Sequence, residues 1–271
     1  MSRPSLLLVG HGSSQHPESG NAVRAHAAAL AEDTRFAHVD IAFLREEPFL
    51  QHAVDRIPGD DLRIVPVFTA NGHITTTLLP REMGLDGRIT ARQGRRILLC
   101  DAVGSHPSLN LHVISHARSI VAGLPDIAEP LHLILGAHGN PKNPASADRT
   151  RAMAARLAET GDFAAVHPLF LEEAPFFKNW RQEIPVNAAV LSLPFLIAGG
   201  FHGALDIPRY LGLDPENPKL AALANGIGLV GPFTSDSRTT WCARPIGLEP
   251  FITGMIAEQA LSMDHLGEQQ E

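Results

Sequence analysis

Leu131–Asn140, LHLILGAHGN, is the stretch on which the reading of the fold turns. An apolar run of strand length ends in Gly-Ala-His-Gly, so a histidine stands where a buried strand gives way to a loop. The N-terminus repeats the device: Leu6–Ser14, LLLVGHGSS, sets His11 after a similar run. These two histidines lie 127 residues apart, and the offset recurs. Phe43-Leu44 of AFLREEP falls on Phe170-Leu171 of LFLEEAP. Slightly stretched, VPVFTANGHITTTLLPREMGL (Val65–Leu85) falls on LPFLIAGGFHGALDIPRYLGL (Leu193–Leu213), which sets His73 beside His202. Self-similarity of this kind outranks any local pattern. The chain reads as two copies of one unit, each with a histidine after its first strand and another after its third.

Around these anchors, strand-like runs alternate with segments of helical period. The first half has strands at Leu6–Val9, His38–Phe43, Arg63–Val67 and Arg96–Cys100, with helices over Asn21–Glu32 and Ser108–Ala122. The second has strands near Leu131–Leu135, Ala165–Leu171, Ala189–Phe195 and Gly228–Val230, with helices over Ala147–Glu159 and Leu248–Leu261. Such alternation implies βαβ units and a parallel sheet. The fold class expected is α/β: two similar lobes related by internal duplication, each a parallel sheet flanked by helices. Gly123–Pro130, polar with flanking prolines, is the natural joint, so the lobes are expected at 1–125 and 126–271.

Composition narrows the function classes. With 44% hydrophobic residues in 271, there is ample material for two cores. A formal charge of −7 and no Lys/Arg-rich run speak against a nucleic-acid partner. No run approaches the roughly 20 apolar residues of a membrane helix, and no signal peptide precedes the first strand. A cytoplasmic protein with no membrane association is expected. Cys100 and Cys242 stand far apart and outside any CxxC, which suits buried thiols rather than a disulfide or zinc site.

A parallel sheet places its functional loops at the carboxyl ends of its strands. His11, His73, His138 and His202 all follow strand-like runs, so within each half both histidines should face one edge. Glu172 follows the second strand of the second half. Two imidazole nitrogens and one carboxylate oxygen at neighbouring strand ends suit a divalent first-row metal and leave coordination positions open. The first half has Arg45 where Glu172 stands, so its set is His–Arg–His, less suited to a cation. Glycines beside the histidines, Gly200 among them, let the backbone turn and a large flat ligand approach. Ser13 either caps the following helix or lines the pocket, capping being the commoner fate.

LLLVGHGSS, AFL…EP, VPVF…GH and GSHPSL together resemble the CbiX family of sirohydrochlorin chelatases, in a long form with two fused copies. The resemblance covers essentially the whole chain. It implies a tetrapyrrole held between two lobes and insertion of Co²⁺ or Fe²⁺, with Ni²⁺ and Zn²⁺ as further candidate ions, without ATP or another nucleotide. It implies His138, Glu172 and His202 as metal ligands, and matches His11 and His73 to the histidine pair of single-copy chelatases. On that reading the histidines also take up ring protons, and Arg45 and Arg209 meet the substrate's carboxylates. A fused two-copy chain would work as a monomer or a homodimer. Two rivals stand beside this reading: a metal or tetrapyrrole carrier without turnover, and a histidine phosphatase. The second lacks the arginine that should precede its His-Gly, since Gly10 and Ala137 stand there instead.

Overall fold

Strands that are buried on both faces are written as unbroken apolar runs, and this chain has one on an interior strand of each sheet. A computed structural model describes residues 3–15, 17–141, 144–197, 206–214, 217, 223 and 228–262. Ten strands are described: β1 (Ser5–Gly10), β2 (His38–Phe43), β3 (Asp61–Pro66), β4 (Ile89–Arg92), β5 (Arg95–Leu99), β6 (Leu131–Ala137), β7 (Ala165–Phe170), β8 (Ala189–Pro194), β9 (Leu229–Ser235) and β10 (Arg238–Ala243). They form two five-stranded sheets of identical plan, β2-β1-β3-β5-β4 and β7-β6-β8-β10-β9. The LLLV core of β1 and the LIL core of β6 are fully buried. Four strands of each sheet run parallel and the edge strands β4 and β9 run antiparallel. The chain is therefore two similar α/β lobes.

The antiparallel edges correct one detail of the sequence reading. The run near Gly228–Val230 is not the fourth parallel strand but the start of edge strand β9; the parallel position is held by β10. Its counterpart β4 also went unread: it has four residues, ITAR, while in β9 the apolar run is broken by Gly231-Pro232.

Four longer helices cover the sheets: α1 (Asn21–Ala31), α2 (Leu109–Ala122), α3 (Ala145–Ala158) and α4 (Pro250–Leu261). None of the described helices is long and apolar enough to cross a membrane. The contacts divide the chain into one unit of residues 1–107 with 249–271 and another of 108–248. This differs from the expected joint near residue 125. Helix α2 follows the first sheet in the chain but belongs to the second unit, where Arg118 pairs with Asp162 at 2.6 Å. Helix α4 follows the second sheet but belongs to the first unit. There His26 Nδ1 meets Thr253 Oγ1 at 2.8 Å, and Arg63 donates to the Ala260 carbonyl at 3.3 Å. The two copies have exchanged their last helices.

Each exchange begins at a glycine. Gly104 donates its N–H to the Phe68 carbonyl and Gly247 to that of Leu196, both at 2.9 Å. A Cβ on either would collide with backbone, of Thr69 and Ile197 respectively, so only glycine lets the turn lie this close.

In the first unit the terminal helix is held electrostatically as well as by packing. The Arg63 side chain is buried (1% exposed) and pairs with Asp61 at 2.7 Å, which Arg96 also reaches at 2.7 Å. Burial of Asp61 opposes its ionisation, yet the hydrogen bonds from Arg63 and Arg96 outweigh it and hold the carboxyl below its ordinary pKa.

Candidate active site

Pairing β6 with β7 in register His132↔Ala165 through Ala137↔Phe170 brings both strands to their carboxyl ends together. The backbone stitching continues past the sheet: Leu171 N–H donates to Ala137 O at 3.0 Å, and Glu172 N–H donates to His138 O at 2.9 Å. The side chains that follow are thereby adjacent, with His138 Nε2 3.6 Å from Glu172 Oε1. That is too long for a hydrogen bond. It is close to the spacing of about 3.0–3.4 Å at which two donors, each about 2.1 Å from one ion, sit. Both side chains are open to incoming ligand, at 42% and 53% exposed.

The imidazole is already in the tautomer a metal needs. His138 Nδ1 lies 2.9 Å from the Gly139 carbonyl, which can only accept, so Nδ1 carries the proton. In the neutral ring this leaves Nε2, the nitrogen 3.6 Å from Glu172 Oε1, as the one suited to a metal.

What holds the loop is the neighbouring carboxylate. Asn140 N–H donates to Glu173 Oε1 at 2.8 Å, and Arg151, from α3, reaches Glu173 Oε2 at 3.4 Å with its guanidinium 4.9 Å from the Phe170 ring centre. Gly139 has φ +73°, and a Cβ there would come within 2.9 Å of Glu173. A side chain at 139 is therefore disfavoured twice, by backbone conformation and by the anchor.

The first unit repeats this frame atom for atom. His11 Nδ1 lies 2.9 Å from Gly12 O, and Arg45 N–H donates to His11 O at 2.9 Å. Ser13 N–H donates to Glu46 Oε2 at 2.9 Å, and Arg24 donates to Glu46 Oε1 at 2.7 Å from a position 4.8 Å above the Phe43 ring. The difference is chemical: Arg45 stands in the backbone position of Glu172. His73 is exposed at the start of a π-helical turn, Ile74–Leu78, after β3. Ser13 Oγ accepts from Gln15 N–H at 3.2 Å, so it closes a local turn rather than capping α1. Arg209 is exposed on the short helix Ile207–Tyr210.

The structure thus brings His138 and Glu172 together and sets His11 and Arg45 in matching places. His202 and Gly200 lie outside the described residues. Among the described residues no group of three or more His, Cys, Asp or Glu side chains converges as a metal set. Cys100 and Cys242 are buried, which pushes both thiols up to about 12, so they stay protonated and apart from the chemistry. Arg181 stacks on Trp180, its guanidinium 4.7 Å from the ring centre, and donates to the Tyr210 carbonyl at 3.0 Å.

The residues to which the sequence reading gave no role are Glu46, Glu173, Arg24 and Arg151. A signal for them exists: the pairs 46/173 and 24/151 carry identical residues at the same 127-residue offset as His11/His138. A second unread feature lies at the opposite end of the second sheet. His132 and His167 stack at 5.2 Å with Nδ1 and Nε2 3.0 Å apart, and burial lowers the pKa of both.

The CbiX family model matches residues 5–119 and 132–262. The chain belongs to the CbiX family. A probable sirohydrochlorin cobaltochelatase of Halobacterium salinarum is 27% identical over 272 residues, spanning 94% of this chain and 90% of that one. Among solved structures, CbiX, described as the terminal enzyme for biosynthesis of siroheme in denitrifying bacteria, is 27% identical with a TM-score of 0.63, over 95% of this chain and 98% of its own. DR2241 of Deinococcus radiodurans, a multi-domain protein with structural similarity to chelatases and two additional domains, is 25% identical with a TM-score of 0.69. That match covers 96% of this CbiX-family chain and 55% of DR2241, so the chain spans about half of that protein's length.

Proposed function

We propose that this protein inserts a divalent metal ion, Co²⁺ or Fe²⁺, into sirohydrochlorin or a related tetrapyrrole without ATP, as a step of cobalamin- or siroheme-type biosynthesis. The observation that carries the reading is the open pair His138 Nε2 and Glu172 Oε1, 3.6 Å apart at one strand edge. Family membership supports the reaction class, and the names of the two 27%-identical relatives support the ring and the metals.

The chemistry follows from the donors. Metallation exchanges two pyrrole N–H protons for one M²⁺, so the site must offer exchangeable metal ligands and a base. On this proposal His138, Glu172 and His202 hold the ion, and an open set of two imidazoles and a carboxylate releases it more readily than a closed thiolate cage. A neutral imidazole takes up ring protons as the metal–nitrogen bonds form. His11 and His73 serve as further proton acceptors and as a secondary ligand pair. Arg45 and Arg209 meet ring carboxylates, the loop at Ser13 borders the ring, and Gly200 allows its close approach. Ni²⁺ and Zn²⁺ compete for the same ligands.

The test is anaerobic absorbance of metal-free sirohydrochlorin with Co²⁺ or Fe²⁺ and catalytic protein. Many turnovers above the spontaneous rate are expected, and His138→Ala or His202→Ala should slow them at least about 100-fold with the fold intact. A spectral change that stops at one equivalent of protein would make it a carrier, and undiminished turnover in either variant would remove that histidine from the mechanism.

A further inference from the structure

Duplicated sites that keep one frame and change one charge invite the question of what the changed copy recognises. In the first unit Arg45 opens onto a cavity of about 510 Å³ between the loop after β2 and the turn carrying Leu78 and Arg81. That volume lies within the range of pockets that enclose a small organic group, about 300–1,000 Å³. The Arg45 guanidinium forms no hydrogen bond or ion pair among the described residues, although arginine is the side chain best shaped to grip a carboxylate with two parallel N–H donors. Arg81 is 70% exposed and pairs with its own neighbour Glu82 at 2.8 Å. An exposed pair of that kind holds weakly and exchanges partners at little cost.

The apolar wall is equally unusual. Phe49 lines the same cavity at 47% exposed. Its counterpart in the second unit, Phe176, has the Lys178 ammonium 5.0 Å above its ring. In the first unit the residue matching Lys178 is Gln51, which brings no charge to Phe49. With Glu82 as the one acidic lining side chain, two guanidiniums leave the cavity with a net positive charge.

We propose that this cavity is a specificity subsite for one carboxylate-bearing aliphatic arm of the flat ligand, with Arg45 and Arg81 gripping the carboxylate and Phe49 and Leu78 packing against its carbon stem. This rests on the chelatase reading for the identity of the ring, while the subsite itself rests on the charge change at 45 and the exposed wall. The duplication has then turned one copy towards the metal and the other towards the ring's periphery. In the first unit the replacement of a carboxylate by Arg45 exchanges cation binding for anion binding on an unchanged backbone.

Binding is tested apart from chemistry, by fluorescence titration of metal-free sirohydrochlorin and of its methyl ester against wild type, Arg45→Ala and Arg81→Ala. Each variant should bind the free acid roughly five- to tenfold more weakly and the ester as wild type does, because removing the guanidinium and removing the charge abolish the same interaction. A folding defect would weaken both ligands alike, and equal loss for acid and ester overturns the subsite. So does wild-type affinity for both ligands in both variants, or failure of the wild type to bind the ring at all. Failure of the chelatase reading looks different: wild type that binds the ring but never metallates it, while the acid–ester difference persists in the variants and the subsite stands.

Discussion

At the scale of single residues, Glu172 and Glu173 are neighbours with unlike work. Successive residues leaving a strand point to opposite sides, so Glu172 faces His138 while Glu173 turns back to hold the loop by Asn140 N–H. Glu173→Gln keeps the shape and removes the charge from that hydrogen bond. Outer partners of this kind typically govern metal affinity by 10- to 100-fold, so calorimetric titration with Co²⁺ should show about a tenfold loss in Glu173→Gln. Unchanged affinity would mean that the loop holds its position without the anchor. That Glu173 turns back to hold the loop was not visible in the sequence, because it depends on where the strand ends. His138 and Glu172 were legible because two strands of a parallel sheet finish at one edge. The anchors were not, since a glutamate bonded to backbone N–H has no motif of its own.

At the scale of elements, the parallel strands announced themselves through runs such as LLLV and the antiparallel edges did not. Each edge strand is joined to its partner by a two-residue turn with both residues at positive φ: Gln93 (52°) with Gly94 (78°), and Asp236 (48°) with Ser237 (62°). Such turns are usually signalled by Asn-Gly or Asp-Gly. Here Gln-Gly and Asp-Ser supply them, and the second pair has no glycine at all. Placing a non-glycine residue in the left-handed region costs about 1–2 kcal/mol, partly offset by the greater freedom glycine loses on folding. Ser237 is exposed, so Ser237→Gly should stabilise the second unit by roughly 0.5–1 kcal/mol. A rise in Tm would be the sign of it; a fall would mean that the serine side chain supports the turn.

At the scale of the molecule, the sequence displayed the duplication but not the exchange of helices. A composition break at Gly123–Pro130 marks where a linker can run, whereas the assignment of a helix to one sheet or the other depends on contacts distant in the chain. The division makes a sharp prediction about fragments. Residues 108–248 form one compact unit that carries its sheet with α2 and α3, so that fragment should give a cooperative thermal transition and dispersed amide resonances. Residues 126–271 carry α4 without its partners, leaving Ile252, Met255 and Ile256, all buried in the full chain, exposed together. That fragment should aggregate. If instead 126–271 folds and 108–248 does not, the helices belong with the sheets that precede them.

Synthesis imposes its own order on this arrangement. The strands of the first unit leave the ribosome early, but the helix that completes them lies beyond residue 248. At translation rates of about 5–20 residues per second, the intervening 108–248 segment occupies the ribosome for roughly 7–28 s. Throughout that interval the nascent first sheet has an uncovered apolar face, while the second unit acquires all its parts in one continuous stretch. The half made first is the half finished last.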